Sequence, residues 1–228
     1  MKTKPIEPAV VYEDNHLIAV NKPFGMLSQG DETGDQSVFD WVKEYIRVTY
    51  NKPGNVYLGL LHRLDRPTGG VLLLAKTSKA ASRMSKQFQS RAIQKVYVAL
   101  TEKLPHPPVG TLKHYVKKLE GKNIMRAYNK EVPQSKPASL DYRLLRSANA
   151  KALIEVQPKT GRRHQIRVQL ASIRCTIRGD VKYGNSQTSF NPDKSICLFA
   201  QKLIFNHPVT KEKITIEAPL PQSAWWKI

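Results

Sequence analysis

Short apolar runs broken by turn-forming residues fill the first hundred positions and predict strands. Val10-Val11-Tyr12 and Leu17-Ile18-Ala19-Val20 are two such runs, parted by the turn-like Glu13-Asp14-Asn15-His16. Pro23 and Gly25 then break the chain. From Ser37 the period changes: Val38, Trp41, Val42, Tyr45 and Ile46 recur at helical spacing, and Asp35 or Ser37 supplies the cap. Leu58 to Leu61 and Val71 to Leu74 read as buried strands flanking a polar loop. A second helix starts at Thr77 or Ser78, with Ala81, Met84 and Phe88 on one face, and Val96 to Leu100 is a further strand.

The second half is patterned in pairs. Leu140, Tyr142 and Leu144 alternate, as do Ala152, Ile154 and Val156, with Ser147-Ala148-Asn149 between them as the turn of an antiparallel hairpin. A helix is expected from about Arg162 to Ile173. Leu198 to Phe205 and Ile214 to Ile216 form a last hairpin across Asn206-His207-Pro208. The stretch 105–134 is rich in Pro and Lys and weak in pattern; it reads as a hairpin insertion over a ligand. Strands outnumber helices and are mostly joined by hairpins, so the class is α+β with a mixed, largely antiparallel sheet. The 228 residues are read as one domain.

Composition is that of a globular chain, 40% hydrophobic and 24% charged. Charge is not ordinary: 37 Lys plus Arg against 18 Asp plus Glu give a formal +19. Such an excess repels itself, and a polyanion relieves the repulsion and releases counterions on binding. Nucleic acid is the leading partner, against the blander reading of a merely basic protein. Cys175 and Cys197 make no disulfide framework and lack metal-ligand spacing. The longest strongly apolar stretch, Val71 to Ala75, is far too short to span a bilayer, and no signal peptide is visible. These features predict a cytoplasmic, reduced protein with no membrane partner.

Two segments carry candidate chemistry. In His62-Arg63-Leu64-Asp65-Arg66-Pro67-Thr68-Gly69-Gly70 a carboxylate stands between two arginines, after a strand and before a glycine pair. Two readings fit: a salt bridge tying the loop, which paired charges more often are, or a charged carboxylate poised as nucleophile or base. Lys159-Thr160-Gly161-Arg162-Arg163-His164-Gln165-Ile166-Arg167 is the second, three arginines and a histidine at a turn-to-helix junction. It suits phosphate binding as well as it suits a solvated basic face. On a helix Arg163 and Arg167 share one face, as do Ile166 and Leu170. Lys22, in Asn21-Lys22-Pro23-Phe24-Gly25, ends a strand and either meets RNA or hydrates.

Together these segments resemble the RluA-type pseudouridine synthase family, over about residues 10–221. The resemblance rests on Asn21-Lys22-Pro23 with Gly25, the His62–Gly70 loop, Lys95-Val96-Tyr97, the Gly161–Arg167 string, Gly179-Asp180 with Tyr183-Gly184, and His207-Pro208. It implies a uridine isomerase with a cleft across the middle of a long mixed sheet. Asp65 becomes the catalytic carboxylate. Arg63 is implied to push into the RNA as the target base leaves its stack, and Tyr97 to lie over the uracil. Arg167 is the implied partner of the carboxylate, with Arg162 and Arg163 as neighbouring candidates; Ile166 and Leu170 would line the pocket wall. His62, Lys22, Arg66, Thr68, His164 and Gln165 complete the expected RNA-binding set.

The family often has Ser after Thr68, where this chain has Gly69. No accessory RNA-binding domain is expected before the first strand. The reaction breaks the N1–C1′ bond, turns the uracil and rejoins it through C5. Nothing is oxidised and nothing leaves, so no cofactor or metal is expected. The implied partner is structured RNA, ribosomal or transfer, acted on by a monomer without a required protein partner. A catalytically inactive RNA-binding module or RNA chaperone accounts for the charge equally, but has no use for a carboxylate facing phosphates. A phosphoryl-transfer or nuclease enzyme would need a carboxylate cluster for Mg²⁺ or a glycine-rich phosphate loop, and the sequence has neither.

Overall fold

The computed structural model describes residues 7–184 and 195–227. The elements, in chain order, are β1 (Ala9–Glu13), β2 (Leu17–Lys22), α1 (Val38–Thr49), β3 (Gly59–Leu60), β4 (Gly69–Ala75), α2 (Ser78–Gln89), β5 (Gln94–Thr101), β6 (Val109–Lys118), β7 (Met125–Tyr128), β8 (Lys136–Ala148), β9 (Lys151–Pro158), α3 (Gln165–Ser172), β10 (Leu198–Asn206) and β11 (Lys213–Glu217). The fold is α+β, and each strand pairing whose register follows is antiparallel. The chain divides into two compact units, Met1–Ile93 with Ala200–Pro219, and Gln94–Phe199 with Leu220–Ile228.

In the first unit β2 lies between β1 and β4, and β4 is followed by β10. β3 adds to β4, and β11 to β10. β4 reads Gly-Gly-Val-Leu-Leu-Leu-Ala and is buried at every position, which is why it shows no alternation in sequence. Its neighbour β2 is buried from Leu17 to Val20. Ser37, not Asp35, caps α1. The Ser37 hydroxyl accepts the Asp40 N–H at 3.2 Å, and the Asp40 carboxylate accepts the Ser37 N–H at 3.2 Å, a reciprocal capping box. Thr77 caps α2 by accepting the Ala80 N–H.

In the second unit the strand order is β5-β9-β8-β6-β7. The stretch 105–134 does form a hairpin, β6 with β7, but β6 also pairs with β8 along eight residues from Val109↔Arg143 to Val116↔Lys136. It is therefore built into the sheet. Two sequence expectations shift here. The β8–β9 turn is Asn149-Ala150, with φ of 51° and 62°, while Ser147 and Ala148 extend β8 opposite Ala152 and Lys151. A two-residue hairpin with matching twist needs positive φ at both central positions, and Asn takes the first at low cost.

The third helix also starts later than Arg162. His164 sits at its N-cap with φ 50°, so Arg162 and Arg163 precede it, and Arg163 does not share a helical face with Arg167. The side chain of Gln165 explains the delay. Its carbonyl oxygen accepts the Thr160 hydroxyl at 2.7 Å and the Arg162 N–H at 2.9 Å, closing a loop where a helical turn was expected. The helix is buried from Gln165 through Leu170, with Val168 against Val116 and Ala138.

Ser37→Ala removes a hydroxyl that is fully buried and shared by both halves of the capping box. It is expected to cost about 1–2 kcal/mol in urea unfolding, with little change in the m-value.

Candidate active site

The His62–Gly70 loop is fastened to the segment that follows β2. Lys22 is 0% exposed, and its ammonium donates to the carbonyls of Met26 at 2.6 Å, Pro23 at 3.0 Å and Arg66 at 3.2 Å. Three N–H donors thus meet three backbone acceptors from two loops. The hydroxyl of Ser28 adds a second fastening, donating to the Leu64 carbonyl at 2.8 Å and accepting the Leu64 N–H at 3.0 Å. The Gly25 N–H reaches the Arg66 carbonyl at 2.9 Å. Asp65 itself is half-buried, and its carbonyl accepts the Thr68 N–H at 2.9 Å in a tight turn. Lys22, read from sequence as meeting RNA or solvent, is sealed from solvent by these contacts.

Burial pushes the Lys22 ammonium down to about 7; the charge of Asp65 pulls it back up and that of Arg66 pushes it further down. The two arginines beside Asp65 have different surroundings. Arg63 is exposed. Arg66 turns away from the carboxylate, pairing with Asp35 at 2.6 Å and donating to the Gly25 carbonyl at 2.9 Å. His62 packs inward instead of facing a ligand: its Nε2 accepts the Leu73 N–H at 3.1 Å and its ring stacks on Phe88. Thr68 is 2% exposed, and its hydroxyl has no hydrogen-bond partner among the described residues.

The glycine pair has distinct reasons. Gly70 has φ 112°, and a Cβ there would drive into the Ala200 carbonyl on β10. At Gly69 a Cβ would come within 3.0 Å of the Phe24 ring. The departure from the family's Ser at this position is matched locally by an aromatic ring packed on the bare backbone.

In the second unit, Tyr97 sits half-buried on β5 opposite Val156. Arg167 is 5% exposed and forms a two-pronged ion pair with Asp180, Nε to Oδ2 and Nη2 to Oδ1, both at 2.7 Å. Its guanidinium also lies 5.1 Å from the centre of the Tyr183 ring. The Tyr183 hydroxyl is 2.7 Å from Nδ1 of His164 and accepts the Met125 N–H at 2.9 Å. Asp180 and Tyr183 therefore hold Arg167. In sequence they stood out only as pieces of the resemblance, because nothing in their spacing marks a buried pair thirteen residues from its arginine.

The rest of the basic string divides. His164, Gln165, Ile166 and Leu170 are buried. Arg162 donates to the Pro137 carbonyl at 3.0 Å, and Arg163 is exposed. Gln165, expected to touch RNA, instead donates to the Ser139 carbonyl at 3.0 Å. Among the described residues no group of three or more His, Cys, Asp or Glu is placed to hold a metal ion, and no helix is long and apolar enough to cross a membrane.

The model of the RNA pseudouridylate synthase family matches residues 16–172, which include both the Asp65 loop and Tyr97. The chain belongs to that family. It is 34% identical over 213 residues to the ribosomal large subunit pseudouridine synthase C of Rickettsia prowazekii (strain Madrid E), covering 93% of this chain and 68% of that protein. Its identity to the protein of the same name from Vibrio cholerae serotype O1 is 32% over 223 residues, covering 96% and 68%. The solved structure of human RNA pseudouridylate synthase domain containing 4 superposes with a TM-score of 0.77 at 26% identity, over 94% of this chain and 89% of that one. The structure of human RNA pseudouridylate synthase domain containing 1 gives 0.76 at 23%, over 96% and 86%. This pseudouridine synthase is an isomerase that acts on RNA, the activity that the family resemblance implied.

Two substitutions test how the site is held. Lys22→Met takes the ammonium donor from the Pro23 and Met26 carbonyls and leaves the Arg66 carbonyl with the Gly25 N–H alone; it is expected to cost about 2 kcal/mol. It also removes a pH effect. Between about 7 and the ordinary lysine value of 10.5 the unfolded chain keeps a proton that the folded chain sheds, so stability contributed by this group rises with pH across that window. Urea unfolding at a series of pH values should show that rise in the wild type and not in the Met variant. Asp180→Asn leaves Arg167 buried without its charge partner; a loss of about 3 kcal/mol is expected by the same measurement, together with reduced turnover.

Proposed function

We propose that this enzyme isomerises a specific uridine in structured ribosomal RNA of the large subunit, with Asp65 as the catalytic carboxylate. The clamped loop carries the reading: three hydrogen bonds to the buried side chains of Lys22 and Ser28 hold the backbone on either side of the half-buried Asp65, and two more tie Lys22 to the Pro23–Met26 turn. Catalytic groups need such fixing, because small displacements cost large factors in rate. The RNA target is supported by the name of the relatives, ribosomal large subunit pseudouridine synthase C.

The chemistry demands that the nucleotide leave its stack, at a cost of a few kcal/mol. Arg63, exposed beside the loop, fills the vacated space. Tyr97 stacks on the extruded uracil and recovers roughly 1–3 kcal/mol. Asp65 acts at the ribose, and two routes begin from the same carboxylate: attack on C1′, or removal of the 2′ proton to give a glycal. Arg167, the basic member of the proposed site, is kept in place by Asp180 and Tyr183. Ile166 and Leu170 set the position of Arg167 from within the buried helix. The enzyme works in the cytoplasm as a monomer, on RNA alone, without cofactor.

Asp65→Asn is expected to lower pseudouridine formation by roughly a thousandfold or more. RNA affinity should stay equal or tighten, since a negative charge near phosphates is removed. Tritium release from RNA labelled at uridine C5, with filter binding beside it, measures both; wild-type turnover in the Asn variant would overturn the assignment.

A further inference from the structure

The sheet of the second unit has two faces, and α3 packs on one of them. Opposite residues on paired antiparallel strands point to the same side, so Tyr97, Val156, Tyr142 and Gly110 share a face through successive pairings. The even-numbered residues of β6 belong to that face. There His114 meets Gln169 of α3 at 3.1 Å, and Val116 packs on Val168. The odd-numbered residues of β6 point the other way. Lys113 is exposed, and Tyr115 and Lys117 are half-buried.

This reverse face carries a pair of opposed rings beside a pair of opposed cations, and the second pairing costs the sheet stability. Tyr115 stands directly opposite Tyr128, and Lys117 directly opposite Arg126. Like charges in directly opposed positions destabilise a strand pair. Among the described residues no carboxylate pairs with Lys117 or Arg126. Arg126 instead lies 5.5 Å from the centre of the Tyr128 ring. The acids elsewhere on this face are already matched, Asp141 with Lys159 at 2.9 Å and Glu155 with Arg143 at 3.3 Å. Cations on an edge strand protect against edge pairing and opposed rings stabilise a hairpin, but neither role calls for two cations set directly opposite each other beside those rings.

From this placement we infer that the reverse face of the β6–β7 hairpin is a second RNA-binding surface, taking a single-stranded stretch of the substrate that flanks the target. Tyr115 and Tyr128 present adjacent ring surfaces on which successive bases stack, and Lys113, Lys117 and Arg126 meet the phosphates between them. The inference rests on the proposed RNA substrate, but its geometry does not involve Asp65. An enzyme whose own sheet carries such a platform gains affinity for extended RNA without any contact to the base that reacts.

The test is binding of the full chain to an RNA hairpin with a uridine in its loop, with and without a single-stranded adenosine tail, by fluorescence anisotropy. The tail should tighten wild-type binding about tenfold. Tyr115→Ala with Tyr128→Ala should abolish the gain, while Tyr115→Phe with Tyr128→Phe keeps it, since the ring and not the hydroxyl stacks. Lys117→Ala with Arg126→Ala should also abolish it and lower the slope of log affinity against log salt by about 1.4. Affinity for the tailless hairpin should not change in any of these variants. No gain from the tail in the wild type, or a gain that survives in the alanine pairs, overturns the inference. The readout is independent of turnover. A tail effect retained in Asp65→Asn supports this surface whatever the turnover of that variant, so the failure of either reading is told apart from the failure of the other.

Discussion

A single ammonium, that of Lys22, ties together the part of the chain where the chemistry is expected. A lysine sealed from water is costly unless its donors are met, and here three carbonyls from two separate loops meet them. The consequence is geometric. The Pro23–Met26 turn and the Arg66 backbone are held to one point, and the loop between β3 and β4 inherits a fixed path. Ser28 repeats the device at Leu64, one residue before Asp65. The glycine pair then lets the chain leave the loop straight into β4, with Phe24 against Gly69 and the Ala200 carbonyl against Gly70. Side chains that look catalytic in a motif thus include several whose work is to hold backbone.

The same division runs through the second unit. Arg167 is placed by a carboxylate and an aromatic ring, Asp180 and Tyr183, and Tyr183 is in turn placed by His164 and the Met125 amide. A guanidinium bound by two parallel hydrogen bonds has one orientation, which a lysine would not share. This supporting layer explains why the string Gly161 to Arg167 is so polar and yet so buried. Its polar groups face one another and the neighbouring strands, and only Arg163 is left as an exposed cation in the run from Arg162 to Arg167.

Legibility in the sequence followed burial pattern. The all-apolar strand β4, the amphipathic α1 and the alternating hairpin of β8 and β9 were all readable, because each has one period and one environment. The start of α3 was not, since the Gln165 side chain closes a loop with Thr160 and Arg162 and His164 takes a left-handed φ, and such local bonding has no periodicity. Pro105 to Gln134 looked separate because β6 has one packed and one open face with lysines on both, which blurs its alternation. Among candidate site residues, the motif did not sort side chains open to a ligand from those that hold backbone. His62 and Lys22 read as ligand-facing and are packed inward; Asp180 carried no role and holds Arg167.

Residue types and their order by themselves determined the α+β class, the affinity for a polyanion and the family, because periodicity, net charge and motif spacing are properties of the chain as a string. Tertiary structure alone decided which polar groups are sealed and which are open: that depends on what a side chain meets across the fold, and a lysine surrounded by carbonyls is spelled the same way as a lysine facing phosphate.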